Sequence, residues 1–312
     1  MDPDDGASPD VRRANGHSAR SIVLRILAAA AVIALAVVVR DAFEDDASSS
    51  TVGSRVVSFQ VESELLGGAQ PVEVVIPPGA RDGRRALLVF LHGRGDDESS
   101  YLTEPMFKAL RRQRGKAPVV AFPRGGPDSY WHDRESGEWG SYVLDELLPA
   151  LIERFEIEPE RVAIGGISMG GFGAYNLARL EPEKFCSVGG HSPAVWESAS
   201  ETAPGAFDGE EDFERNDVIA AVGPPLDPLA GKRVWVDVGS DDPFAEANRA
   251  LADSLEAGGA EVVLYEGPGD HETSYWESNW PRYMAFYART LKACQVDPKP
   301  KEEDRGGDRD PG

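Results

Sequence analysis

Arg161-Val-Ala-Ile-Gly-Gly-Ile-Ser-Met-Gly-Gly-Phe-Gly-Ala-Tyr175 is the stretch on which the reading of this chain turns. Arg161 to Ile164 is a short apolar run of the buried-strand type, and Met169 to Leu180 repeats its apolar residues at helical spacing. Between them Gly166-Ile-Ser168-Met-Gly170 spells G-x-S-x-G. In a chain with 33 glycines among 312 residues the pentapeptide alone is a weak signal, but a strand before it and a helix after it give it a mechanical meaning. The turn strains the backbone at Ser168 and lifts its hydroxyl to the carboxyl edge of a sheet. A Cβ at Gly166 or Gly170 would strike the flanking strand and helix. A serine N-cap in a glycine-rich turn is the plain alternative, and it loses ground as the partner residues below are found.

Apolar runs and helical patterns alternate outward from this turn, which is the signature of βαβ units and an α/β fold with a parallel sheet. Arg55 to Val61 and Val72 to Ile76 alternate with a period of two and predict opening antiparallel strands. Buried-type strands follow at Ala86 to Leu91, Val119 to Phe122, Arg161 to Ile164, Phe185 to Gly189, Val234 to Val238 and Val262 to Tyr265. Helices are expected at Tyr101 to Arg114, Glu138 to Phe155, Met169 to Leu180, Pro243 to Ala257 and Trp276 to Lys292. Ser192 to Lys232, after the sixth strand, breaks the alternation and is expected to form a cap over one end of the sheet, a surface excursion being the alternative.

A serine hydroxyl attacks poorly at neutral pH unless an imidazole takes its proton and a carboxylate holds that imidazole in the right tautomer. His271, in Gly-Pro-Gly-Asp-His-Glu after the last strand, is the predicted base. Asp242, in the loop after the strand ending at Gly239, is the predicted acid, with Asp241 next and a helix N-cap as the structural alternative; Asp237 lies inside the strand. The order Ser, acid, His results. A developing oxyanion needs two backbone N–H groups. Met169 supplies one, and Leu91-His-Gly-Arg-Gly supplies the other through Arg94, with Gly93 as the alternative. His92, Tyr130, Trp131 and His191 lie near strand ends and are candidate substrate-binding residues, His132 beside them. For His92 and His191 a structural hydrogen-bonding role is the competing reading, and for the 130–132 loop simple packing.

Residues 54–294 resemble the esterase family of α/β-hydrolases that includes esterase D, S-formylglutathione hydrolase, feruloyl esterases and the mycobacterial antigen 85 mycolyltransferases. The matching pieces are Leu91-His-Gly-Arg-Gly-Asp-Asp, Tyr142-Val-Leu-Asp-Glu-Leu-Leu-Pro, Gly165-Gly-Ile-Ser-Met-Gly-Gly-Phe-Gly-Ala, Gly239-Ser-Asp-Asp-Pro-Phe and Gly269-Asp-His-Glu with Trp276 and Pro281 beyond it. The resemblance implies a mostly parallel eight-stranded sheet flanked by helices, and acyl transfer from an ester through a serine acyl-enzyme with no cofactor. It carries the nucleophile to Ser168, the acid to Asp242, the base to His271 and the oxyanion donors to Arg94 and Met169. The expected function is a serine esterase acting on a small-molecule carboxylic ester. An acyltransferase delivering the acyl group to a sugar hydroxyl and a non-catalytic binding module are the alternatives.

Composition sets the surroundings. Lys and Arg total 32 against 54 Asp and Glu, a formal charge of −22, which repels phosphate backbones and argues against nucleic acid as a partner. Residues 1–21 and 295–312 read as disordered tails and 40–53 as a linker. Ile22 to Val39 is apolar apart from Arg25, and at 1.5 Å per residue it spans about 27 Å, close to the bilayer core. With arginines before it and acids after it, it reads as a membrane anchor with the N-terminus inside, or as a cleaved signal sequence; both place the 54–294 domain outside the cytoplasm, anchored or secreted. Cys186 and Cys294 are the only cysteines, compatible with a disulfide or with two buried thiols, and neither sits in a metal-ligand cluster.

Overall fold

The computed structural model describes residues 51–79, 85–225 and 228–294. The segment 22–39, both tails and most of the linker lie outside the described residues, and among these no helix is long and apolar enough to cross a membrane.

The described chain begins on a hairpin, β1 (Arg55–Ser63) and β2 (Gly68–Ile76), paired antiparallel from Arg55 opposite Ile76 to Ser63 opposite Gly68. β3 (Arg85–Leu91), α1 (Glu104–Arg112) and β4 (Val119–Pro123) follow. A short ladder of β5 (Asp133–Arg134) and β6 (Gly137–Glu138) precedes a helix, α2, whose segments Trp139–Ser141, the π turn Tyr142–Leu147 and Leu148–Phe155 run on from one another. Then come β7 (Ile157–Ile167), α3 (Met169–Leu180), β8 (Ser187–His191), the short α4 (Glu210–Asn216) and α5 (Val218–Ala221), β9 (Arg233–Gly239), α6 (Ala245–Gly258), β10 (Glu261–Gly267) and α7 (Thr273–Ala293).

Eight strands form one sheet in the order β1-β2-β4-β3-β7-β8-β9-β10, antiparallel across β1, β2 and β4 and parallel from β4 onward. The alternation of side chains along a strand divides β3 between two cores. Leu87, Val89 and Leu91 join one core with residues of α2, α3 and α6, while Leu88 and Phe90 join another with α1 and α7. Helices therefore cover both faces, as near-continuous apolar strands require. The parallel strands all deliver their carboxyl ends to one edge.

Where element bounds differ from expectation, tertiary contacts decide. α1 starts at Glu104, with Pro105 in its first turn, because Tyr101 is drawn away to hydrogen-bond the loop after β3. α7 starts at Thr273 and β7 at Ile157, both longer than their patterns predict, and β8 runs on to His191. Cys186 and Cys294 form a disulfide with Cα atoms 6.2 Å apart, tying the end of α7 to the start of β8; they are not free thiols.

The described residues that directly follow β8 lie beside the carboxyl edge, with Ala194 and Ala203 lining the same cavity as Ser168. Phe207 packs its ring on Tyr130, His132, Phe172 and Trp196. The Arg134 guanidinium donates to Asp208 at 2.6 Å and to the carbonyls of Gly205 and Ala206, fastening the segment to the β5 end.

Candidate active site

Ser168 stands between β7 and α3 with φ 52° and ψ −116°, a positive-φ conformation that costs a non-glycine residue of order 1–3 kcal/mol and persists only where its surroundings enforce it. Its N–H donates to the His191 carbonyl at 3.0 Å, and its own carbonyl accepts from Phe172 and Ala194. The neighbouring glycines are required by close approach: a Cβ on Gly166 would meet the Gly170 backbone, and one on Gly170 would meet the Leu91 carbonyl.

The loops after β9 and β10 bring the partners. Asp242 is buried, with Oδ1 accepting from the Phe244 N–H at 2.9 Å and Oδ2 2.9 Å from His271 Nδ1. Because a carboxylate can only accept, Nδ1 carries the proton, and the lone pair of Nε2 faces Ser168 Oγ at 2.8 Å. Asp241 is exposed and turned elsewhere; its N–H binds the Gly269 carbonyl at 2.9 Å and so joins the two loops. The His271 ring sits between Phe244 and Trp276, each centroid 5.1 Å away, with 22% of its side chain still open to solvent. A hydroxyl, an imidazole and a buried carboxylate thus form one hydrogen-bonded line, able to move a proton from oxygen to nitrogen and stabilise the imidazolium that results.

The loop after β3 chooses between the two oxyanion candidates. The Gly93 N–H donates to the Tyr101 hydroxyl at 3.1 Å, and that hydroxyl donates to Asp96 Oδ2 at 2.7 Å, so Gly93 is occupied. The backbone N–H groups of Arg94 and Met169 have no hydrogen-bond partner among the described residues. The Arg94 side chain instead donates to the Pro204 carbonyl at 3.1 Å. Ser168, His271, Arg94, Tyr130, Phe244 and Trp276 share the wall of a cavity of about 410 Å³.

Of the candidate substrate-binding residues, the structure brings Tyr130 to this cavity and keeps three away. His92 has both nitrogens engaged, Nδ1 donating to the Gly93 carbonyl at 2.8 Å and Nε2 accepting from the Gly125 N–H at 3.0 Å; burial lowers its pKa and keeps it neutral. Trp131 is fully buried against Gly125 and Gly173, its indole N–H on the His92 carbonyl. His191 is fully buried beside Asp237. These three, expected as candidate substrate-binding residues, are buried and do not line the cavity; each packs behind the loops that do. His132 is also withdrawn, its Nε2 3.0 Å from Asp212 Oδ2. Sequence reasoning assigned no site role to Tyr101, Asp96, Phe244 or Trp276, although Phe244 and Trp276 stand in the motifs that carry the family resemblance. Asp96 lay in the quoted loop motif, but Tyr101 fitted a helical pattern and gave no sign of reaching back across it.

The family model named Esterase, described as "Putative esterase", matches residues 63–287. S-formylglutathione hydrolase of Bos taurus is 26% identical over 268 residues, covering 75% of this chain and 93% of its own length. The MPT51/MPB51 antigen of Mycobacterium bovis is 27% identical over 224 residues, covering 61% of this chain and 74% of its own. Among solved structures, a ferulic acid esterase superposes with TM-score 0.67 at 21% identity, covering 76% of this chain and 98% of that one, a likeness of fold.

Proposed function

The chain belongs to the Esterase family, with the α/β-hydrolase fold, and we propose that it is a serine hydrolase that cleaves a carboxylic ester through an acyl-enzyme on Ser168. The observation that carries the reading is the unbroken line from Asp242 through His271 to Ser168 at 2.9 and 2.8 Å, opening onto a cavity.

In this reading His271 Nε2 takes the Ser168 proton as Oγ attacks the ester carbonyl. The carbonyl oxygen becomes an oxyanion received by the N–H groups of Met169 and Arg94. The imidazolium, stabilised by Asp242, then gives its proton to the departing alkoxide, and the tetrahedral intermediate collapses to the acyl-enzyme. Water enters, His271 removes its proton, and attack on the acyl carbonyl releases the acid and returns the proton to Ser168. Tyr130 and Trp276 form part of the wall against which the substrate lies.

The catalytic body is residues 54–294, preceded by a linker at 40–53, a membrane anchor or signal sequence at 22–39 and a tail at 1–21, and followed by a tail at 295–312. An extracytoplasmic location is supported by the Cys186–Cys294 disulfide, since such bonds persist in oxidising compartments.

The test is turnover of short and medium p-nitrophenyl esters by the full chain, with products analysed with and without an added polyol. Free acid as the product in both conditions is expected. A new ester formed at the expense of free acid would replace water with a hydroxyl acceptor, and no turnover of any ester by folded protein would overturn the reading.

A further inference from the structure

Behind the candidate site lies a second polar assembly that the proposed reaction does not use. The Asp237 carboxylate, on β9, is fully buried and has four donors. Oδ1 is 2.6 Å from His191 Nδ1 and accepts from the Trp235 indole N–H at 2.7 Å; Oδ2 accepts from the hydroxyls of Tyr275 at 3.0 Å and Tyr283 at 2.9 Å. His191 Nε2 lies 3.1 Å from the Tyr287 hydroxyl, and a Cβ on either Gly165 or Gly189 would collide with that hydroxyl. A carboxylate has about four lone-pair sites, so this one is saturated, which is the condition under which a charge survives in a dry interior. Burial and the facing carboxylate push the hydroxyl pKa values of Tyr275 and Tyr283 upward, keeping both as donors.

The placement of the donors gives the assembly a further consequence. Asp237 shares its strand with the loop that carries Asp242, and its carbonyl accepts from the Ser192 N–H at 2.7 Å. His191 ends β8, and its carbonyl holds the Ser168 N–H at 3.0 Å. Tyr275 sits in the first turn of α7, directly after the loop that carries His271, and its N–H closes that loop onto the Glu272 carbonyl at 3.1 Å. One buried carboxylate is therefore linked to the supports of the nucleophile, the base and the acid, three segments far apart in sequence. Tyr283, bonded to the same oxygen at nearly the same distance, lies mid-helix with its ring stacked on that of His191 and has no hydrogen bond to the loop that carries His271.

We propose that Asp237 is a positioning residue for ester cleavage and that it sets His271 against Ser168 through the Tyr275 hydroxyl. The proposal rests on the serine-hydrolase reading above. Tyr275 and Tyr283 provide their own control, since removing either hydroxyl deprives the same oxygen of one donor while only Tyr275 is tied to the His271 loop.

The experiment compares Tyr275→Phe and Tyr283→Phe with the wild type as full chains. It measures melting temperature, kcat and KM on a p-nitrophenyl ester per titrated active site, and the rate of Ser168 labelling by a fluorophosphonate. Both variants are expected to melt earlier by similar amounts. Tyr275→Phe is expected to lower kcat and the labelling rate by at least tenfold with KM within twofold, and Tyr283→Phe to keep kcat within threefold of wild type. Equal kcat in the two variants, whether both lowered or both normal, would make the assembly a stabiliser only and overturn the proposal. A wild type that turns over ester without labelling at Ser168 would overturn both the serine reading and the proposal; normal labelling of the wild type alongside equal variants would sink the proposal alone.

Discussion

Two Asp–His pairs stand one behind the other in this molecule, and their Nδ1-to-carboxylate contacts are alike: 2.9 Å for His271 with Asp242 and 2.6 Å for His191 with Asp237. What separates them is the third partner and the water. His271 directs Nε2 at a serine hydroxyl, with 22% of its side chain open and a cavity in front. His191 directs Nε2 at Tyr287, is wholly enclosed, and lies with its ring centroid 3.6 Å from that of Tyr283. In the proposed reaction the same motif serves proton transfer in one place, while in the other it serves cohesion, so an Asp–His pair acquires a chemical role from what its remaining nitrogen faces and from access for a substrate.

Substitutions can break that contrast, beginning with the largest effect. Ser168→Ala should lower kcat by about 10⁶-fold with the melting temperature unchanged or raised, because it removes the nucleophile and relieves none of the packing. Activity within tenfold of wild type would place the chemistry elsewhere. Asp242→Asn should follow at about 10⁴-fold in kcat, since an amide in that position favours the wrong imidazole tautomer. Its stability should shift little by comparison, and a variant that unfolds instead would mean the front pair is structural too.

His191→Phe reverses the pattern. It leaves the buried Asp237 carboxylate short of a donor, and breaking a buried pair costs about 3–5 kcal/mol. Denaturant titration should show that loss, while the molecules that remain folded still label at Ser168. Full stability with abolished labelling would invert the assignment of the two pairs.

Acidification gives the smallest effect. His92 and His132 both have pKa values held below the ordinary 6.5, burial being the largest cause in each. Such a histidine binds fewer protons folded than unfolded, so its contribution is fully present above about pH 6.5 and declines as pH falls from there through the lower folded value. The urea midpoint at pH 5.5 should lie below that at pH 8. A midpoint that holds or rises on acidification would mean these imidazoles are charged in the fold.

The front pair was legible because local chemistry marks it. A glycine-flanked serine between strand and helix, an aspartate just past a strand end before Pro243, and a histidine in Gly-Pro-Gly-Asp-His each announce a turn at the sheet edge. The alternation of strand and helix likewise announced the sheet and its parallel part. The rear pair was not legible. Asp237 showed only as a charge inside Val-Trp-Val-Asp-Val, and two of its donors lie 38 and 46 residues on, on one face of α7, where tyrosines read simply as apolar spacing. His191 looked like any strand-end histidine, and nothing local tells whether such a ring faces a cavity or a tyrosine. Tyr101 was hidden in the same way, its ring fitting a helix while its hydroxyl serves the Gly93 loop. The π turn at Tyr142–Leu147 also escaped, since a one-residue widening leaves the helical spacing of apolar residues nearly intact.

Ester cleavage as proposed requires Ser168 to carry the acyl group. Acid-quenching the full chain during turnover of a p-nitrophenyl ester and mapping the peptides by mass should find the acyl mass on the peptide containing Ser168, and no acyl mass anywhere in Ser168→Ala. Acyl mass on a different residue, or steady turnover with Ser168 never acylated, would contradict it.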